Sequence, residues 1–341
     1  MKRVIWLVLV LAVCVSPFLA AREKIVVYTY DSFVSWGPAA ALKEAFSNKY
    51  DCDVQYVTAG GGRATLSRLI AERDAGGSNA DLFMAEINDV PRIADYDLFL
   101  PLSVADVPNL ANVPADLMAG GLNGFVPYEY GYITLTYDTE GFATQSPPST
   151  LEDLASPAYT RQLICEDPRT SSTGFSFLLW TIAHFGEDGY LDFWRSLHNS
   201  LLTITQGWGE GWSLLTHGEA PLMVSFSTDT AYAAICGDPL RYRAYAPAGE
   251  GYRTVYGIGV VKGTSHETLA KEFIDLLLSP EMQELIPTTE IMFPANSDAE
   301  LPTAFEEYAI VPQAPLSIPL DIVGERMDEW LHAWETVITR P

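Results

Sequence analysis

The chain has 341 residues and carries 44 acidic against 20 basic side chains, a net charge of −24. That balance argues against nucleic acid and anionic membrane surfaces as partners, while it suits a cationic solute and plain solubility equally well. Cys52, Cys165 and Cys236 lie far apart and the five histidines are scattered, so neither a zinc site nor a disulfide framework is indicated. Buried free thiols are expected, with a Cys165–Cys236 bridge as the alternative.

Residues 1–21 read as an export signal: Lys2 and Arg3, an apolar run over 4–13, the breaker Ser16-Pro17, and small residues at Ala20 and Ala21. An apolar run of about ten residues is too short for a lasting membrane span. Cys14 offers lipidation as an alternative, disfavoured because Val13 occupies a position where a small residue is expected. About 320 residues then remain, more than one core usually supports, so two lobes are expected.

Residues 24–30 are β-branched and aromatic and read as a buried strand. A helix over 38–50, a strand over 54–57, a helix over 64–74 and a strand over 81–85 follow. This alternation implies a parallel sheet with helices on both faces, and ligands beyond the carboxyl ends of its strands. A strand over 125–137 leads into a second α/β run. Ser149 with Glu152 is expected to cap a short helix, and helices follow over 174–184 and 188–197. Strands at 201–205 and 222–227 flank a helix near 211–216. A strand at 254–261 precedes a helix capped by Thr264 with Glu267, and a last helix covers 321–338. Trp330 and Trp334, four residues apart on that helix, read as packing. Extended crossovers near 125–130 and 253–259 suggest a hinge between lobes. The expected boundaries are 22–125 with 257–295 for one lobe and 126–256 with 296–341 for the other.

Several segments in order resemble one family, the periplasmic thiamine-binding proteins of bacterial ABC importers. They are Tyr28-Thr29-Tyr30-Asp31-Ser32-Phe33 with Trp36-Gly37-Pro38, Phe125-Val126-Pro127-Tyr128-Glu129-Tyr130-Gly131-Tyr132, and Glu166-Asp167-Pro168-Arg169-Thr170-Ser171 with Gly174 and Leu178-Leu179-Trp180. Gly207-Trp208, Ala231-Tyr232, Ile286-Pro287-Thr288 and Met292-Phe293-Pro294 complete the set. The resemblance implies an α/β, two-lobed periplasmic-binding-protein-like fold and a monomer that delivers its ligand to a membrane permease. Thiamine, thiamine monophosphate or thiamine pyrophosphate would be that ligand, and no cofactor is implied.

A thiazolium ring is a flat cation, which aromatic faces attract by about 0.5–2 kcal/mol each. The resemblance implies that Tyr30, Trp36, Trp208 and Tyr232 line the site. From the residues alone, Trp208 in a Gly-Trp-Gly turn is a poor candidate for core packing. Ser171 and Ser172 open a helix, where free N–H groups and hydroxyls either bind an anion or merely cap. Gly61, Gly62 and Arg63 do the same from the other lobe, or form a plain flexible turn. Three positions depart from the family: Gly61 stands where an acid is expected, Ile291 where a tryptophan is, and Phe226 where a tyrosine ends a strand. Losing a carboxylate beside a cation-bearing loop favours a phosphorylated ligand.

Two alternatives share the architecture. Gly60-Gly61-Gly62, Arg68-Leu69 and Ala80-Asp81-Leu82-Phe83 also resemble iron(III)- and phosphonate-binding relatives, but the adjacent late tyrosines of the iron binders are missing. A thiaminase-like enzyme would need Cys165 as nucleophile, and its acidic neighbours Glu166 and Asp167 would suppress the thiolate. The expectation is a binding protein without catalysis.

Overall fold

The computed structural model describes residues 22–118, 124–237 and 239–339. The expected export signal and Cys14 lie outside the described residues. Eleven strands form one mixed sheet, and the main path runs β2-β1-β3-β9-β4-β7-β5-β6. In chain order these are β1 (Glu23–Thr29), β2 (Cys52–Thr58), β3 (Leu82–Glu86), β4 (Phe125–Asp138), β5 (Leu163–Glu166), β6 (Leu201–Thr205), β7 (Leu222–Phe226), β8 (Tyr242–Tyr245), β9 (Glu250–Val260), β10 (Phe293–Pro294) and β11 (Ala314–Leu316).

Both ends of the sheet are parallel, as the alternation of strands and helices requires: β1 pairs with β2 and β3, and β5 pairs with β6 and β7. Two long antiparallel strands, β4 and β9, join the halves. β9 lies against β3, and the far half of β4 lies against β7. β4 therefore runs in the same direction as β3 and opposite to β7. The carboxyl ends of the two parallel sets point toward each other. The register sets the gap between them. Glu86, the last residue of β3, is level with Tyr256 and hence with Glu129, whereas Phe226, the last of β7, is level with Ile133. Four residues of strand, about 13 Å, separate the two facing rims.

Each half has its own apolar core. Phe33, Phe46, Leu82, Ile258 and Phe273 are fully buried in one, and Trp180, Trp194, Trp330 and Trp334 are fully or almost fully buried in the other. Trp330 and Trp334 are packing residues, as read from their spacing. The helices expected over 174–184 and 188–197 form the span Ser172–Leu197, broken at Gly186, whose φ of 73° is left-handed and suits glycine.

Three local expectations need correction. The short helix Leu151–Leu154 is capped by Thr150, which accepts from the Asp153 N–H at 3.2 Å; Asp153 in turn accepts from the Ser149 N–H. The reciprocal bonds thus sit one residue later than Ser149 and Glu152. The helix Glu267–Leu277 has His266 at its N-cap with no side-chain cap; Thr264, two residues earlier, donates to Asp81 and accepts from the His266 N–H at 2.9 Å, ahead of the helix. Trp208 is not in a turn. It is the first residue of the helix Trp208–Thr216, with extended Gly207 before it.

Candidate functional site

All the sequence-predicted residues except Trp36 fall at or shortly beyond the facing strand ends, where open α/β sheets leave a crevice. Tyr30 follows β1, Gly61, Gly62 and Arg63 follow β2, Ser171 and Ser172 follow β5, Trp208 follows β6, and Phe226 ends β7 with Tyr232 on the next helix. Trp36 closes the short helix Asp31–Ser35. The structure gathers them into three groups.

The first group is aromatic. Trp208 is half-buried, stacks on Trp212 at 5.2 Å with an interplanar angle of 16°, and donates its Nε1–H to Ser225 Oγ at 2.7 Å. Trp212 meets Tyr232 edge-on at 6.2 Å. Trp212 and Ser225 escape the sequence reading, although Trp212 lies four residues from Trp208 and so on the same helix face. Beneath them Asp229 accepts from Thr136 Oγ1 at 2.6 Å, and burial lifts its carboxyl to about 7. Glu166 is fully buried with neither carboxyl oxygen partnered, and burial raises it strongly. Phe226 packs against both cores.

The second group joins the two rims directly. Arg63 pairs with Asp89 at 3.3 Å and lies over the Phe175 ring at 4.4 Å. Asp89 accepts from Ser172 Oγ at 2.5 Å. Ser171 caps its helix by accepting from the Gly174 N–H at 3.3 Å. The Arg63 charge is thus already matched by Asp89, while Gly61 is open, with no atom near where a side chain would begin. Gly62 packs on β3, where a Cβ would come within 2.9 Å of Ala85 Cβ. Asp89 follows a strand end, so inspecting every strand terminus for charge would have found it.

The third group is phenolic and acidic. Tyr30 is buried; its hydroxyl bonds to Tyr128 and to Glu129 Oε1, the latter at 3.1 Å, and its ring lies 5.3 Å from that of Tyr256. Glu129 is fully buried and Oε2 has no partner. Burial first, and repulsion from Glu290 second, raise Glu129 well above the usual carboxylate range. Burial lifts Glu290 to about 7. Trp36, the expected stacking residue nearby, is 77% exposed. Ile291, which replaces the expected tryptophan, has a left-handed φ of 57°.

Cys52, Cys165 and Cys236 are free thiols, so no Cys165–Cys236 bridge forms; Cys52 and Cys165 are buried as expected, whereas Cys236, at the end of the helix Asp229–Cys236, is exposed. Cys165 is fully buried; burial, then Glu166 and Asp167, raise its thiol well above the ordinary value, the reverse of an activated nucleophile. Among the described residues no group of three or more His, Cys, Asp or Glu is placed to hold a metal, and no helix is long and apolar enough to cross a membrane. A separate cavity of about 900 Å³ lies between residues 87–95, β9 and the start of the last helix, lined in part by Arg92, Tyr252 and Leu320. It contains none of the predicted site residues.

Comparison with known proteins agrees with this geometry. The family described as bacterial extracellular solute-binding protein matches residues 41–313. A thiamine-binding periplasmic protein of Brucella abortus biovar 1 (strain 9-941) is 33% identical, over 95% of this chain and 95% of the relative. A protein of the same name from Escherichia coli (strain K12) is 31% identical over 97% and 98%. A solved periplasmic thiamin binding protein superposes with a TM-score of 0.81 at 30% identity, covering 94% of this chain and 97% of its own. With an expected fold that matches its neighbours and a crevice where that fold binds solutes, the chain belongs to the bacterial extracellular solute-binding protein family.

Proposed function

We propose that this protein captures thiamine or a thiamine phosphate outside the cytoplasmic membrane and passes it to the permease of an ABC importer. The observation that carries the reading is near-full-length identity of about one third to relatives named for thiamine binding. The chemistry of the crevice supports it: indole and phenol faces, four buried carboxyls and few free cations suit a flat organic cation. The lobes are 22–125 with 257–295 and 126–256 with 296–341, hinged on β4 and β9, and the protein acts as a periplasmic monomer.

The ester question turns on Arg63. Its pairing with Asp89 matches the charge but leaves Arg63 Nε and Nη2 without hydrogen-bond partners; with Ser172 donating to Asp89, the N–H groups near Gly61 and the Ser171 hydroxyl remain as the neutral donors for a phosphate. Free thiamine therefore competes on better terms than the glycine-rich loop alone suggests. Mass spectrometry of ligand released from natively purified protein should yield thiamine or an ester. Calorimetry with thiamine, its monophosphate and its pyrophosphate then ranks them, and absence of binding by all three overturns the proposal.

A further inference from the structure

We propose that Glu129 and Glu290 form a carboxylate subsite, against Gly37, that takes the cationic ring of the ligand. The inference rests on the thiamine reading and assigns which ring of the molecule this part of the crevice recognises.

Geometry carries it. Glu129 is fully buried; Tyr30 donates to Oε1, and Oε2 lacks any partner. Glu290 Oε1 also lacks one. Pairing of Phe293 and Pro294 with Tyr130 and Glu129 carries the Glu290 segment to the Glu129 strand. On its other side Glu290 meets the chain at Gly37, where an added Cβ would collide with Oε1. Trp36, the residue before Gly37, is 77% exposed.

The hydroxyls of Tyr30, Tyr128 and Tyr256 surround the pair, and Glu86 and Asp89 act on Tyr256 from the neighbouring strand end. Among the described residues no Lys, Arg or His acts on Glu129 or Glu290. A buried carboxylate without a counter-charge is costly, and a ligand cation supplies what the protein withholds. The same pair repels phosphate. It therefore orients the ligand, thiazolium ring beside Glu129 and Glu290, with the hydroxyl or ester arm of that ring directed away from them toward Gly61 and Ser171.

With Glu290 lifted to about 7 and Glu129 raised further by its neighbour, the pair retains a proton near neutral pH. A cation placed beside it favours the ionised form, so binding expels that proton.

Calorimetry near neutral pH, in two buffers of different ionisation enthalpy, tests this with thiamine and with oxythiamine, which keeps the thiazolium but replaces the pyrimidine amino group. Wild type should release protons with both ligands. Glu129→Gln and Glu290→Gln should each reduce the release and weaken both ligands about tenfold. Unchanged affinity in the variants, or thiamine binding to wild type without proton release, overturns the subsite and leaves the thiamine reading intact. Weakening of thiamine alone reassigns the pair to the aminopyrimidine and also overturns it. If neither variant folds, the wild-type proton release decides. Failure of thiamine to bind wild type at all is a separate result, and it removes the functional reading itself.

Discussion

The two rims of the crevice satisfy their polar groups in different ways. On the rim built from β5, β6 and β7, Trp208 is held by Ser225 and Trp212, Asp229 by Thr136, and Ser171 by its own helix. On the opposite rim Glu129 and Glu290 keep unpartnered oxygens and Trp36 stands bare. Glu166, Ser227 and Thr228 are exceptions on the first rim, with unpartnered side-chain oxygens. The aromatic part of the first rim is organised before the ligand arrives. The carboxyl pair on the other is completed by it. Preorganisation limits the entropy lost on binding, whereas unsatisfied charge makes binding selective for the group that satisfies it.

The largest expected effect tests the unsatisfied side. Glu290 titrates near 4.5 unfolded and near 7 folded, and Glu86 rises from 4.5 to about 8 through burial and then Asp89. Asp229, from 3.8 to about 7, follows the same rule. Between those values the folded state holds protons that the unfolded state has lost. The stability they contribute is full below the unfolded values and disappears as pH rises through the folded ones. The melting temperature of ligand-free protein should fall by about 5 °C or more between pH 5 and pH 8, because each tenfold difference in proton affinity between the two states is worth about 1.4 kcal/mol. Equal melting temperatures at both values would mean these carboxyls are hydrated.

Next comes the organised side. Trp208→Ala should weaken thiamine binding at least tenfold by calorimetry, since a lost stacking face typically costs more than about 1 kcal/mol. Ser225→Ala, which keeps the indole but frees its Nε1, should cost about threefold and shift the tryptophan emission. Undiminished affinity in Trp208→Ala removes that indole from the site. A Ser225→Ala loss as large as that of Trp208→Ala would show that the hydrogen bond, not the ring, matters.

The smallest effect belongs to Trp36. An exposed indole loses side-chain freedom when it closes on a ligand, which offsets part of its contact energy. Trp36→Ala should therefore weaken thiamine only about threefold in the same titration, less than Trp208→Ala. The reverse order would make the exposed rim dominant.

Much of the fold is legible in the sequence because it is local. β-branched runs separated by amphipathic helices give the parallel halves, and the extended segments near 125 and 255 give β4 and β9. The caps expected at Ser149 and Thr264 fail for the opposite reason. A cap depends on which N–H the side-chain oxygen can reach in space, and Thr264, bonded to Asp81 far away in sequence, accepts from His266 ahead of the helix. Trp208 shows the same limit, since glycines on both sides look like a turn until Trp212 and Ser225 supply a helix face and a bond.

The sequence by itself determined the two α/β halves, the aromatic stock of the crevice and the family resemblance, because these depend on periodicity, composition and order. Only the tertiary structure decided that Arg63 is neutralised by Asp89, that Glu129 and Glu290 approach one another from segments more than a hundred residues apart, and that about 13 Å of strand separates the rims. Charge pairing and burial depend on distances through space, and residue spacing along a chain does not encode them.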